Sequence, residues 1–273
     1  MNRKPNVKIQ EQFTGFPGDD RSALILHVPH AGLHIPQDAR QSIVLSDADL
    51  ACEATIMADT NTNILALGAY EKSAFRPHVF VNNLSRLVID PERFLDDSEE
   101  MTQVGMGAVY NQTHVGSILR SNDIDIDNDY LINQYFAPYA QAFSDLVTDV
   151  FNRFGHVTII DVHSYATSAL PYELHAHDIR PALCIGTDNF HTKPALRDKV
   201  ASVFSDFGTI STNQPFSGTY VPLEYYGVEA RVQSVMLEFR KDSYAAGEPA
   251  SQSFKQTESL LAGLIDDLNR HAE

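Results

Sequence analysis

Apolar runs rich in β-branched residues alternate along the chain with segments whose apolar residues recur every three or four positions. The strand-like runs are ALILHV (23–28), HVFVNN (78–83), HVTIID (156–161), ALCIG (182–186), FGTIST (207–212) and VQSVMLEF (232–239). This alternation predicts an α/β fold with a mixed, mostly parallel central sheet that is covered by helices on both faces. Ligands bind at the carboxyl ends of strands in such sheets, so polar residues at strand ends are the first candidates for a functional site.

The helix-like segments indicate how the sheet is covered. They are SDADLACEATIMADTNTNILALGAY with Ser46 as its N-cap, NDYLINQYFAPYAQAFSDLVTDVFNRF, TKPALRDKVASVFSDF and ASQSFKQTESLLAGLIDDLNRHAE. Pro138 should kink or divide the second of them. Residues 95–129, rich in Asp, Ser, Gly and Asn, predict an irregular excursion, and without a linker or repeat the chain is expected to form one domain over residues 1–273.

The first candidate site residue follows the strand-like run at 23–28, where the sequence HVPHAGLH brings three histidines together. Pro29 ends the hydrogen-bonding ladder and Ala31-Gly32 permit a turn, so the imidazole of His30 is expected at the carboxyl end of the strand. His27 lies within the strand, where it either packs or supports another side chain.

The run IIDVHSY ends in polar residues although its apolar members should be buried. A carboxylate on a central strand is costly to bury without a partner, and a histidine or a metal ion would serve Asp161. A carboxylate that accepts the N–H of a metal-ligating imidazole is one such arrangement, which makes His163 a candidate ligand. The alternative is an Asp161 that caps a helix. A Ser164 nucleophile with His163 as its base is disfavoured, since adjacent strand residues point to opposite faces.

Glu238 interrupts a third apolar strand, in SVMLEFRKD. It either pairs with the neighbouring Arg240 or, beside histidines from other strands, acts as the base that deprotonates a metal-activated water. A metal site would need one more ligand, for which the sequence offers Asp59, Glu53, His27 and Asp90.

Charge and composition narrow the function classes. The net charge of −16 opposes binding to nucleic acids and to anionic membranes, and an anionic substrate would need local cationic groups. Two distant cysteines indicate neither a disulfide framework nor a thiolate zinc site. The N-terminus lacks an apolar signal region, and no run approaches about 18 apolar residues, so a cytoplasmic protein is expected.

Seven blocks together resemble the N-formylglutamate amidohydrolase family. In chain order they are HVPHAG, DTNTNIL, NNLSRLVIDPERF, DVHSYA, CIGTDNFHT, NQPFSGTYVP and MLEFRKD, and they span about Leu24 to Tyr244. The resemblance implies the zinc-carboxypeptidase-like fold class. The segments HSY and LEFR are also similar to the segments of zinc carboxypeptidases that carry the last histidine ligand and the general-base glutamate.

The resemblance implies a Zn²⁺ or other divalent-metal centre with His30 and His163 as ligands and Glu238 as the base. Zinc carboxypeptidases carry their acidic ligand three residues after the first histidine, where this chain has Leu33. The acid must come from elsewhere, and Asp59, inside a family-like block, is the choice, with Glu53 as runner-up.

The implied substrate is a small anionic N-acyl amino acid, N-formylglutamate first, in amino acid degradation such as histidine catabolism. Arg86 and Arg93 are candidates to clamp its carboxylates, with surface ion pairs as the alternative. Asn213, Ser217, Gly218 and Tyr220 form an expected substrate loop, with Tyr220 as a donor to the oxyanion. Another N-acyl amino acid or short peptide substrate, or a metal-binding relative without activity, stays open.

Overall fold

The computed structural model describes residues 8–9, 11–120 and 128–270. The strands are β1 (Lys8–Ile9), β2 (Phe13–Phe16), β3 (Leu24–Val28), β4 (His78–Asn82), β5 (Val157–Tyr165), β6 (Leu183–Gly186), β7 (Ile210–Thr212) and β8 (Val232–Arg240). The α-helices are α1 (Gln37–Gln41), α2 (Asp47–Met57), α3 (Thr62–Lys72), α4 (Asn128–Leu131), α5 (Ala137–Phe154), α6 (Pro194–Val203) and α7 (Gln252–Arg270).

These strands form one sheet in the order β1-β2-β4-β3-β5-β8-β6-β7. The four central strands β4, β3, β5 and β8 are parallel to one another. Strands β1 and β2 on one side, and β6 on the other, join antiparallel, while β7 pairs parallel with β6. The predicted mixed, mostly parallel sheet is confirmed, and the carboxyl ends of its central strands meet at one edge.

Helices cover both faces of the sheet, as predicted. The core on one face contains Leu26, Val162 and Leu237 together with residues of α3, α6 and α7. The core on the other face contains Ile25 and Ile159 together with residues of α5. Because strand side chains alternate, the odd-numbered residues of β5, which include Asp161 and His163, face the α5 side.

The long helix expected to begin after Ser46 is wrong as a single element, because it breaks into α2 and α3. The side chain of Ser46 does accept a hydrogen bond from the backbone N–H of Asp49, as an N-cap should. The helix stops because Ala58 is extended and Asn61 adopts φ +60°, which turns the chain. The backbone N–H and the hydroxyl of Thr62 both donate to the carbonyl of Asp59 (3.2 and 3.0 Å), so Asp59 lies in a tight interhelical turn.

The second long helix divides near Pro138, as predicted. Residues Ile132–Phe136 form a π-helical turn that runs directly from α4 into α5, and Pro138, which has no N–H to donate, is the second residue of α5. The stretch expected to be irregular contains a 3₁₀-helix at Glu100–Val104, and its residues 121–127 lie outside the described part of the chain. Among the described helices, none is long and apolar enough to cross a membrane.

Candidate metal centre and active site

The candidate site is built at the carboxyl edge of three parallel strands. His30 follows β3 by two residues, and His163 lies near the end of β5. Glu238 is the register partner of His163 on β8, so both side chains emerge on the same face of the sheet. Backbone pairing therefore brings together residues that are far apart in sequence.

Three ligand-type atoms converge above this edge. The Nδ1 atoms of His30 and His163 lie 3.2 Å apart, and Asp59 Oδ2 lies 3.1 Å from His163 Nδ1 and 3.8 Å from His30 Nδ1. All three residues are buried, with at most 4% of their surface exposed. Zinc bonds of about 2.0 Å in a tetrahedral shell separate neighbouring ligand atoms by about 3.3 Å. Two imidazoles and one carboxylate at these separations fit a divalent ion.

Asp59 reaches the site because the turn between α2 and α3 is bound to both histidine-bearing segments. Its backbone N–H donates to the carbonyl of His30 at 3.0 Å. Its Oδ2 accepts the backbone N–H of Ser164 at 3.1 Å. Glu53, the runner-up acid, points elsewhere: its carboxylate is 2.6 Å from His114 Nδ1 and accepts the backbone N–H of His114 at 2.7 Å.

The outer nitrogen of each site imidazole faces carboxylates. His30 Nε2 is hydrogen-bonded to Asp90 Oδ1 at 2.8 Å, and His163 Nε2 lies 3.1 Å from Asp161 Oδ1. With Nε2–H directed at Asp90, the Nδ1 of His30 is left as the lone-pair nitrogen that a metal requires. His163 Nε2 lies close to Asp161 but makes no hydrogen bond among the described residues. Asp161 therefore has the contact with a candidate ligand that its buried strand position called for.

The pKa of Asp90 is held well below its usual range. Burial alone would raise this pKa, but the interaction and hydrogen bond with His30, together with the charges of Arg86 and Arg93, outweigh that effect. The carboxylate also accepts hydrogen bonds from Arg86 Nη2 and the Tyr110 hydroxyl, both at 2.7 Å. Asp90 is thus a fixed anion behind His30.

Glu92 is an acid whose place in the site the sequence did not reveal. Its Oε2 lies 3.3 Å from His163 Nε2 and 3.7 Å from His30 Nε2, so these three residues also form a possible metal-binding trio. The trio with Asp59 is favoured because His30 Nε2 already has Asp90 as its hydrogen-bond partner. Glu92 reaches the site because the segment after β4 brings residues 90–93 next to the two histidines, and no local sequence pattern indicates this.

Glu238 has the environment of a base rather than of an ion pair. It is 9% exposed, and its Oε2 has no hydrogen-bond partner among the described residues. Burial raises its pKa to about 8, with the nearby His163 opposing the shift. The alternative partner, Arg240, instead pairs with Asp242 at 2.7 Å.

Both candidate arginines line a cavity of about 760 Å³ that also contains Asp59, His163 and Glu238. Arg86 holds Asp90 through Nη2, and Arg93 Nε lies 3.3 Å from the same carboxylate. The Nε atoms of Arg86 and Arg93 are buried and have no hydrogen-bond partner among the described residues. Arg86 therefore keeps a donor for a further anion, whereas Arg93 Nε already faces the Asp90 carboxylate.

Only some residues of the expected substrate loop line the cavity. Ser217, Gly218 and Tyr220 line the cavity. The ring of Tyr220 stacks on His27 with centroids 5.0 Å apart. Asn213 is not among the cavity residues, because its side chain bonds twice with Thr187, at 2.8 Å each. Its φ of +56° indicates a turn residue that shapes the loop.

Comparison with known proteins agrees with this architecture. The N-formylglutamate amidohydrolase family model matches residues 22–245. An N-formylglutamate amidohydrolase from Ralstonia eutropha JMP134 superposes with a TM-score of 0.78 at 20% identity, covering 96% of this chain and 99% of that one. A gene product of Agrobacterium tumefaciens gives a TM-score of 0.65 at 18% identity, covering 96% and 95%.

Among curated proteins, the search gave no match. At these identities the two solved structures show a shared fold. The family model, in contrast, spans most of the chain, including every strand end at which the candidate residues lie. The chain belongs to the N-formylglutamate amidohydrolase family.

Proposed function

We propose that this protein is a divalent-metal-dependent amidohydrolase that cleaves the formyl C–N bond of N-formyl-L-glutamate, giving glutamate and formate. The observation that carries the proposal is the convergence of His30 Nδ1, His163 Nδ1 and Asp59 Oδ2 beside the buried Glu238. Membership of the family and the hydrolase fold support the substrate and the reaction.

His30, Asp59 and His163 would hold the ion, with zinc the first choice and cobalt or manganese as alternatives. Three protein ligands leave a position for water, as catalytic rather than structural zinc sites do. When bound, such an ion lowers the pKa of a coordinated water from about 15.7 to about 7 and polarises a carbonyl. Asp90 and Asp161, behind the two imidazoles, keep the ligand nitrogens in place.

Glu238 acts as the proton carrier. It takes a proton from the attacking water as the oxygen adds to the formyl carbon, and it delivers that proton to the amide nitrogen when the C–N bond breaks. Glutamate then leaves as an amine and the formyl group as formate. Burial, which raises the pKa of Glu238 to about 8, makes it a stronger base than an exposed glutamate.

Arg86 and Arg93, which both line the cavity, bind the substrate carboxylates, and Arg86 has its Nε donor available for this. Ser217 and Tyr220 form the facing wall of the cavity, with Tyr220 as the candidate donor to the developing oxyanion. These assignments explain how a chain of net charge −16 binds an anion: the cationic groups are concentrated at one place.

The test is formate release by purified protein. Chelator-stripped protein should be inactive on N-formyl-L-glutamate, and zinc, cobalt or manganese should restore turnover. Equal activity with and without metal would remove the metal from the mechanism, and absence of formate with every metal would exclude deformylation of this substrate.

A related N-acyl amino acid is a second candidate substrate, which the mouth of the cavity favours. Its exposed lining includes large apolar residues, namely Phe94, Leu95, Leu174, Leu223 and Tyr226. A panel of N-formyl, N-acetyl and N-succinyl amino acids, compared by kcat/KM, distinguishes the two candidates. A preference for a longer acyl group would favour the second.

A further inference from the structure

The loop after β8 contacts the turn that carries Asp59. This turn, residues 58–61, joins α2 to α3, and the loop residues that touch it are Lys241, Tyr244 and Ala246. We call these three contacts the clasp. The loop begins at Lys241, three residues after Glu238, so it directly follows the strand that carries the candidate base.

Lys241 binds the C-terminal end of α2. Its Nζ donates to the carbonyl of Ala58 at 2.7 Å and reaches the carbonyl of Ile56 at 3.4 Å. The last carbonyls of a helix have no intrahelical partner and carry a partial negative charge, so an ammonium group stabilises them. Lys241 therefore fixes the residue immediately before Asp59.

Tyr244 binds the residue immediately after Asp59. It is completely buried, and its hydroxyl donates to the carbonyl of Thr60 at 2.6 Å. In the reverse direction, Asn61 Nδ2 donates to the carbonyl of Ala246 at 2.6 Å. The carbonyls on both sides of Asp59 are thus held by side chains from a different part of the chain.

We propose that Lys241 and Tyr244 are positioning residues that set the carboxylate of Asp59 against His30 and His163. A turn with a left-handed Asn61 has few helical hydrogen bonds of its own, so the clasp supplies the constraint that a helix would otherwise give. The clasp also links the turn that carries Asp59 to the loop that follows the strand of Glu238. This proposal rests on the proposed function only in taking Asp59 as a metal ligand.

The test uses the full-length protein and measures metal affinity by competition with a chromophoric chelator. Lys241→Met removes the ammonium but keeps the length of the side chain, and Tyr244→Phe removes only the hydroxyl. Loss of groups that orient metal ligands weakens metal binding by about 10- to 100-fold. We expect each variant to bind zinc within that range more weakly, and the double variant to bind more weakly than either.

Two matched controls separate positioning from general destabilisation. Lys72 also donates to a backbone carbonyl, that of Lys255 at 3.2 Å, and the hydroxyl of buried Tyr70 donates to the carbonyl of Pro17 at 3.1 Å. Neither residue lines the cavity. Lys72→Met and Tyr70→Phe should leave zinc affinity unchanged even where they lower the melting temperature.

Unchanged zinc affinity in Lys241→Met and Tyr244→Phe would overturn the proposal, as would an equal loss in the controls. A raised KM for Lys241→Met with normal zinc affinity would also overturn it, because Lys241 would then bind substrate. Formate release by the wild-type protein is scored separately, so a failure of the proposed reaction is distinguishable from a failure of the clasp.

Discussion

Buried histidines form two layers on the α5 side of the sheet: the inner layer is His27, and the outer layer is His30 and His163. The layers differ in the groups that surround the ring nitrogens. In the inner layer, His27 Nδ1 is 2.8 Å from Asp161 Oδ1 and His27 Nε2 is 2.7 Å from the Tyr139 hydroxyl, so both nitrogens have protein partners. In the outer layer, His30 and His163 direct their Nδ1 atoms at each other and at Asp59.

The difference shows that burial and residue type alone do not separate a proposed metal ligand from a proposed supporting residue. His27 and His30 are only three positions apart and are both almost fully buried. Because both ring nitrogens of His27 already have protein partners, neither is free for a metal ion. We infer that the inner layer orients Asp161, which in turn orients His163, whereas the outer layer binds the ion.

The largest effect is expected from breaking the outer layer. His30→Asn and His163→Asn each remove one of three ligands, so zinc binding and formate release should both fall to background. Metal content after dialysis and a formate assay measure this. A zinc-loaded, active His163→Asn protein would contradict the assignment of the layers.

Next in size is the loss of the base. Glu238→Gln keeps the shape of the side chain but cannot accept a proton, and positioned acid–base groups contribute about 10²- to 10⁴-fold to rate. We expect kcat to fall within that range while zinc affinity is retained. A near-normal kcat would transfer the base role to another carboxylate, such as Glu92, which lies 3.3 Å from His163 Nε2 and 3.7 Å from His30 Nε2.

A smaller effect is expected from the inner layer. His27→Gln and Asp161→Asn leave all three proposed ligands in place. Asp161→Asn removes the acid beside His163, and His27→Gln removes the side chain that orients this acid, so zinc affinity should weaken by about 10- to 100-fold rather than vanish. Isothermal titration with zinc distinguishes these outcomes. Complete loss of zinc in His27→Gln would make the inner histidine a ligand.

Smaller again is the effect of Tyr139→Phe, which removes only the hydroxyl that faces His27 Nε2. An unsatisfied buried partner costs about 1–3 kcal/mol, so the variant should lose about that much unfolding free energy. Urea denaturation measures the loss. Zinc affinity should stay near that of the wild type, and a fall like that of His27→Gln would place Tyr139 in the orienting chain.

His78, a partly buried histidine at the start of β4, differs from His27 in the direction of its pKa shift. Burial, aided by Arg153, lowers the pKa of His78 to about 4, whereas the carboxylates of Asp161 and Glu92 outweigh burial and raise the pKa of His27. As the pH falls, His78 therefore binds a proton at a higher pH in the unfolded chain than in the folded chain.

Stability from a neutral His78 is fully present above its ordinary pKa of about 6.5 and is lost as the pH falls toward about 4. His78→Gln should match the wild type at neutral pH and show a shallower loss of melting temperature below about pH 6. Identical acid limbs in the two proteins would contradict the lowered pKa.

The sequence predicts the strand-end residues well because sheet geometry determines where they point. His30, His163 and Glu238 each follow or end an apolar run, and parallel pairing places such residues at one edge. Asp59 came from the resemblance to the family, not from periodicity, which predicted one continuous helix across it.

Glu92, Asp90 and Lys241 reach the site through long-range contacts that no local pattern encodes. Asp90 meets His30 across 60 positions, and Lys241 meets Ala58 across 183. The loop around Asn213 was identified from the sequence, but the side chains that face the cavity were not. Which of them face inward depends on the turn that Asn213 makes.

The pairing of His163 with Glu238 in adjacent parallel strands has a consequence for how this protein can diversify. Neighbouring strands lie about 4.8 Å apart through backbone hydrogen bonds, so the spacing between the proposed ligand His163 and the proposed base Glu238 does not depend on any loop. Insertions or exchanges in the segments around the cavity mouth can therefore alter which small molecule enters without changing the spacing between His163 and Glu238. For protein engineering, the segments around the cavity mouth are therefore the part to exchange, while the strands that carry His163 and Glu238 are kept.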